Sequence, residues 1–312
     1  MRTAFIEALA DEARRDPRVV LMTGDLGFGV FHGFMDELGP QFVNAGVAEQ
    51  NMTGMAAGMA LAGKCVFTYS IANFPVLRTL EQIRNDVCYH DADVRIVAVG
   101  GGMCYGSLGP SHHATEDLAV MRAMPNLLVV APGDPVETKL AVRALVRHRG
   151  PAYLRLGRAG EPVVHTSEPP FELGKAITVR EGGDVTLIST GGQLRDTVAA
   201  AEILAAEDRV GARVVSMHTL KPLDADAVLA AARETGAIFT VEEHSIIGGL
   251  GSAVAEVLME ADERPQHFRR IGLRAGFSSV TGDQDYLRAH YGLDTAGILQ
   301  TVRGVLAGAP SS

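Results

Sequence analysis

The chain has no tryptophan, 5% aromatic residues, three cysteines and fewer cations than anions. Each shortage removes a class of protein. Cys65, Cys88 and Cys104 are odd in number, widely spaced and without a CxxC pair, which excludes a disulfide framework and a zinc module and predicts buried reduced thiols. Lys plus Arg number 28 against 37 Asp plus Glu, a net charge of -9, so no clustered cationic face is available for nucleic acid. No run reaches the ~18 uninterrupted apolar residues of a membrane span. The opening MRTAFIEALADEARRD is amphipathic and carries acids, unlike a secretion signal. These features predict a cytoplasmic protein with neither nucleic acid nor membrane as a partner.

What is there is enough for two cores: 312 residues, 47% of them hydrophobic, against the usual ~150 residues per domain. The first half alternates short apolar runs with amphipathic segments, the pattern of a parallel sheet with crossover helices. Strands are expected at 19–24, 41–46, 64–70, 94–100, 127–132 and 151–157, with helices near 2–15, 48–62, 76–89, 115–124 and 134–148. Pro162, Pro169 and Pro170 then break the rhythm. A second series follows, with strands at 185–190, 212–220, 237–244 and 268–273 and helices near 193–206, 224–235, 250–262 and 295–306. The predicted fold class is α/β with two doubly wound sheet domains, a six-stranded parallel one at 1–160 and a smaller one at 176–312, joined by a linker at 161–175.

Ligands of open α/β sheets bind at the carboxyl ends of strands, so the loops after each run are searched first. In NAGVAEQNMTGMAAGMALAG, Glu49 opens a helix whose next turns are almost all small or apolar, the composition of a helix buried all round, often against a second subunit. Two readings are open for its carboxylate: a helix-start acid facing water and favoured by the macrodipole, or a buried acid bonding a cofactor. GGGMCYGSLGPSHHATED, 100–117, is glycine-dense and ends in His112 and His113, which as neighbours point different ways and do not make a joint metal site. Asp25 ends the first strand in TGDLGFG, where neither the Walker nor the dinucleotide glycine pattern is complete. GGLGS at 248–252 precedes a helix and either caps it or holds an anion there. Ile71, Phe74 and Leu77 recur at spacing three, as core or as a flat pocket wall, and Arg155 and Arg158 flank a strand end where one could clamp an anion.

The order of these motifs resembles the C-terminal half of the transketolase family: GVAEQNM, an aromatic strand-loop, GPSH, KPLD at 221–224 and VEEHSIIGGLGSAVAE at 241–256. The resemblance runs from the first helix to YGLD at 291–294. It implies a pyrimidine-binding domain followed by a transketolase C-terminal domain, with thiamine diphosphate as cofactor. Family members carry a GDG motif, followed by Asn, that holds Mg²⁺ and the diphosphate, and this sequence has no such element. The resemblance therefore implies one subunit of a split enzyme, with no metal ligand in this chain. A separately encoded N-terminal subunit would hold diphosphate and Mg²⁺ in an α2β2 heterotetramer.

On the matching positions, Glu49 is implied to bond N1′ of the aminopyrimidine, Phe74 to stack on that ring between Ile71 and Leu77, and Asp25 to lie near cofactor and subunit interface. His112 and Ser111 of GPSH are implied to face the reacting carbons and Arg158 to bind an anionic substrate end. Two departures stand out. Gly100 and Leu108 replace a His and an Asp that contact sugar hydroxyls in ordinary transketolases, and Gly29 replaces a phosphate-binding serine, which implies an unusual sugar substrate. Ketol transfer is the favoured activity. The alternatives are a decarboxylating 2-oxo acid enzyme, similar to deoxyxylulose phosphate synthase or the E1 β subunit, and a non-catalytic scaffold.

Overall fold

Val19–Thr23 (β1), Val94–Val99 (β4) and Ala152–Leu156 (β6) are buried at every position, as strands covered by helices on both faces must be. The computed structural model describes residues 1–27, 29–262, 264–274 and 276–308. With Phe42–Asn44 (β2), Cys65–Ile71 (β3) and Leu128–Val130 (β5), these strands form a parallel sheet in the order β2-β1-β3-β4-β6-β5. Its helices are Arg2–Arg15 (α1), His32–Leu38 (α2), Glu49–Leu61 (α3), Leu80–Gln82 (α4, continuing as a π-helical stretch over Ile83–Cys88), Asp117–Ala123 (α5) and Pro135–Arg147 (α6).

The second sheet comprises Ile177–Arg180 (β7), Val185–Ser189 (β8), Ala212–Ser216 (β9), Ala237–Ser245 (β11) and His267–Leu273 (β12), in the order β12-β11-β8-β9-β7. It is parallel except for β7. The one long strand expected at 212–220 is two. The Met217 N–H donates to Ser189 O and His218 O accepts from the Ala131 N–H, turning the chain out of the second sheet. Thr219–Lys221 (β10) then pairs antiparallel with β5, as a seventh strand of the first sheet. The helices here are Leu194–Ile203 (α7), Ala225–Glu234 (α8), Leu250–Glu260 (α9), Gln284–His290 (α10) and Thr295–Leu306 (α11). No helix among the described residues is long and apolar enough to cross a membrane.

One apolar cluster runs from Met22 and Met52 through Val129 to Ile188, Ile238 and Val254, so the two sheets share a core. All three cysteines are buried and unbridged. At the junction Arg155 of β6 donates to Asp117 (2.8 Å) and to the carbonyls of Ala114 and Glu243. Two glycine motifs find their purpose here. A Cβ at Gly101 would lie 2.6 Å from Arg155 Nε, and one at Gly102 would lie 2.6 Å from Glu243 Oε1. The anion at the N-terminus of α9 is the chain's own Glu242, which accepts from the Leu250 and Gly251 N–H groups at 2.7 and 2.8 Å.

Burial pushes the Glu242 carboxyl up to about 7 from 4.5, against the pull of those N–H groups, and pushes His244 down to about 4 from 6.5. The two act on stability with opposite sign. Glu242 binds its proton more readily folded than unfolded, so its contribution is full below 4.5 and is lost as pH rises through 7. His244 binds its proton less readily folded, so its contribution is present above 6.5 and is lost as pH falls through 4. Glu242→Gln removes the compensating group. Its urea midpoint is expected to fall more steeply than that of the wild type as pH is lowered from 6.5 to 5, and parallel curves would refute this account.

Candidate functional site

The carboxyl ends of β1, β2, β3 and β4 converge on one edge, as the topology requires. Glu49 is the first residue of α3 and 2% exposed. A buried carboxylate needs a partner, and Arg78 Nη1 supplies one at 2.9 Å to Oε2. The other carboxylate oxygen has no hydrogen bond among the described residues. Gly24, at the end of β1, lies beside the acid, its Cβ position in ordinary contact at 3.9 Å from Glu49 Cγ. Asp25 follows with φ +60°, held by Asn44, whose side-chain amide donates to the carboxylate at 2.9 Å and whose Oδ1 accepts from the Asp25 N–H at 3.1 Å.

The helix expected from 76 begins at Leu80, because residues 72–79 form consecutive turns around Pro75. Those turns shape the site. Phe74 follows the end of β3, its N–H donating to Ile71 O at 2.8 Å. The Arg78 guanidinium lies 4.9 Å from the Phe74 ring centroid, and the His112 ring meets Phe74 edge-on at 5.3 Å. Ser111 Oγ is 3.0 Å from His112 Nδ1. The Asn73 amide donates to His113 O, tying the GPSHH loop to these turns. Glu49, Arg78, Phe74 and His112 are thus one contiguous array, with Leu77 48% exposed beside it. His113 turns inward, its Nε2 3.2 Å from Gly106 O, so the two histidines do point apart.

The remaining substrate candidates lie elsewhere on this edge. Leu108 ends the 3-10 turn Gly106–Leu108 and is 54% exposed. Arg158 is exposed and lines a cavity of about 120 Å³ with Gly101, Gly157, Gly191 and Arg195. Arg155 is not available to a ligand, being committed to Asp117. A larger space of about 670 Å³ opens between β12 and α11, and Pro110 and His113 line its rim.

Three contributors were not singled out from the sequence. Arg78 sits 29 residues from Glu49 with no local pattern to announce the pair. Asn73 carries no local pattern that separates it from other turn residues. Arg2, in the first turn of α1, has a buried side-chain Nε without a partner among the described residues, and its backbone N–H donates to Arg158 O at 3.3 Å. An arginine at the start of a helix, where the dipole disfavours cations, was the available signal. Within this one chain α3 buries Met52, Thr53, Ala56 and Ala57 beside Glu49. Met55 (39%), Leu61 (63%) and the preceding Val47 (73%) are exposed apolar residues.

Comparison with known proteins agrees with this architecture. Residues 1–161 match the family model for the transketolase pyrimidine binding domain, and residues 174–298 that for the transketolase C-terminal domain. The chain is 42% identical to an apulose-4-phosphate transketolase subunit of Phocaeicola vulgatus, over 96% of this chain and 95% of that one. It is 37% identical to a 6-deoxy-6-sulfo-D-fructose transketolase subunit of a Clostridium species, over 98% and 94%. A solved split-gene transketolase, described as an inactive beta4 tetramer, superposes with a TM-score of 0.90 at 38% identity over 98% of each chain.

Proposed function

Since the chain belongs to the transketolase family, we propose that it is the small subunit of a two-chain, thiamine diphosphate-dependent enzyme of the cytoplasm. Its reaction is transfer of a two-carbon ketol unit from a phosphorylated or otherwise anionic ketose to an aldehyde. Residues 1–160 form the pyrimidine-binding domain, 161–175 the linker and 176–312 the C-terminal domain. The observation that carries this reading is Glu49, a buried acid at a strand-helix junction with one carboxylate oxygen unbonded among the described residues and an aromatic ring in the same array.

Thiamine diphosphate, when bound, supplies the carbon nucleophile that ketone cleavage needs. The protein's share is orientation and proton handling. Glu49 holds a proton at N1′ of the aminopyrimidine, and Phe74, Ile71 and Leu77 give that ring an apolar wall. Asp25 lies at the adjoining strand end, toward the partner. Ser111 engages His112 Nδ1, leaving Nε2 to exchange a proton with a substrate hydroxyl. Arg158 and Arg2 hold the anionic end of the substrate. The names of two relatives fit this, one with a phosphate and one with a sulfo group. Leu108 leaves the neighbouring wall without a hydroxyl partner.

A separately encoded N-terminal subunit holds the diphosphate and Mg²⁺, and covers the exposed apolar face at Val47, Met55 and Leu61 in an α2β2 heterotetramer. Titration of thiamine diphosphate with Mg²⁺ by calorimetry, on the chain alone and then with the partner, tests the reading. Tight binding in the mixture only, followed by ketol transfer between sugar phosphates, is the expected result. Release of CO₂ from a 2-oxo acid would favour the decarboxylating alternative, and binding in neither case the non-catalytic scaffold.

A further inference from the structure

One guanidinium touches both groups that the proposed function gives to the pyrimidine. Arg78 Nη1 donates to Glu49 Oε2 at 2.9 Å, and Arg78 Cζ lies over the Phe74 ring, 4.9 Å from its centroid. Because a single planar group reaches both, it lies between them, on the face of Phe74 that is turned toward the acid. A flat ring bonded to Glu49 and stacked on that face needs the same space. The second carboxylate oxygen, unbonded among the described residues, does not remove the conflict. A pyrimidine could bond that oxygen with Arg78 in place, but it could not also lie on a face that the guanidinium covers. The two groups are alike in chemistry as well. A guanidinium is a planar cation with N–H donors along its edge, and so is an aminopyrimidine that carries a proton at N1′.

Arg78 is held firmly at its backbone and lightly at its side chain. Its carbonyl oxygen accepts from Gln50 Nε2 at 3.1 Å, which ties the turn to α3, and Thr79 Oγ1 donates to Pro75 O at 2.8 Å. The side chain is 51% exposed, and among the described residues its guanidinium has only the Glu49 pair and the Phe74 contact. Both are weak interactions at a half-exposed site. Rotation of the side chain into solvent therefore clears the space without moving the backbone. We propose that Arg78 is an autoinhibitory plug, which fills the place of the pyrimidine and must turn out before thiamine diphosphate can enter. In a split enzyme the hold of the partner subunit on the diphosphate would supply the free energy that displaces it, so that the cofactor stays only in the assembled complex. The proposal rests on the reading of Glu49 and Phe74 as pyrimidine-binding residues.

The test is binding of thiamine diphosphate, with Mg²⁺, to the reconstituted complex carrying wild-type chain or Arg78→Met. Methionine keeps the stem and has neither charge nor fork. The apparent Kd is the intrinsic one divided by the fraction of sites from which the plug has turned out, so a plug in place about nine times in ten weakens binding about tenfold. Arg78→Met is therefore expected to tighten Kd by about tenfold in calorimetry. Surface plasmon resonance should place the gain in the association rate, with dissociation unchanged. Arg78→Lys leaves a cation for Glu49, which protects folding and assembly, but lacks the flat fork that covers Phe74, so it should tighten Kd by about threefold. A residue that only positioned Glu49 would give the opposite sign, weaker binding on its removal. Unchanged or weaker binding in both variants, or a gain carried by dissociation, would overturn the plug and leave the cofactor reading standing. No binding to wild type or to either variant would refute the cofactor reading and this inference with it.

Discussion

Glu49→Gln is expected to lower kcat of the reconstituted complex by about 10²- to 10⁴-fold, the usual share of a positioned acid or base. Glutamine has the shape of the acid and can still accept from Arg78 through its carbonyl oxygen, so the array of Arg78, Phe74 and His112 survives. What is lost is the capacity to give and take a proton at N1′. Folding should suffer little, because the amide removes a buried charge and the Arg78 side chain, 51% exposed, remains solvated. Sedimentation should show the complex assembled, and calorimetry should show the cofactor still bound. Turnover near that of the wild type would remove Glu49 from the mechanism, whereas failure to assemble would make it an interface residue.

The parts of this site that were legible in the sequence are those whose signal is local. Glu49 stands out because a lone acid heads a run of small and apolar residues, and the six parallel strands stand out because each is a short apolar run in a series that alternates with amphipathic segments. Elements with one buried apolar residue left no such pattern. Phe34 alone is buried in α2 and Ile177 alone in β7, and both elements went unpredicted. The same holds for α10, although Asp283 caps it by accepting from the Tyr286 N–H at 2.8 Å. The switch of β10 between sheets is a tertiary choice, made by hydrogen bonds to Ser189 and Ala131 that lie 28 and 87 residues before their partners Met217 and His218.

Glycines show the limit most plainly. A sequence states that backbone must approach something closely, and the structure states what. In the loop after β4 the approached groups are Arg155 and Glu243, and before α9 they are Glu242 and His244, all of them the chain's own buried side chains. Gly100, by contrast, makes room for the Tyr105 ring, whose hydroxyl has no hydrogen bond among the described residues.

That buried network predicts the largest stability effect. Glu243 is 4% exposed and accepts from the Met103 N–H at 2.5 Å, from Gln284 Nε2 at 3.0 Å and from Arg288 Nε at 2.6 Å. Arg288, 7% exposed, also pairs with Asp196 at 3.2 Å. One cation thus serves two buried carboxylates, and its charge opposes the cost of having desolvated both. Arg288→Met keeps most of the volume and removes the charge, leaving Glu243 without its counter-ion while Asp196 keeps Arg195 at 3.0 Å, which should destabilise the chain by about 3–5 kcal/mol. Urea unfolding measures this directly. Adding Glu243→Gln to Arg288→Met should recover a large part of the loss, because the anion left uncompensated is then neutral while its oxygen still accepts from Met103. Additive losses in the double variant would instead mean that Arg288 stabilises the fold by packing alone. Met103 belongs to the loop that carries His112, so the network that joins the two sheets also anchors the loop to which the proposed function assigns substrate contact.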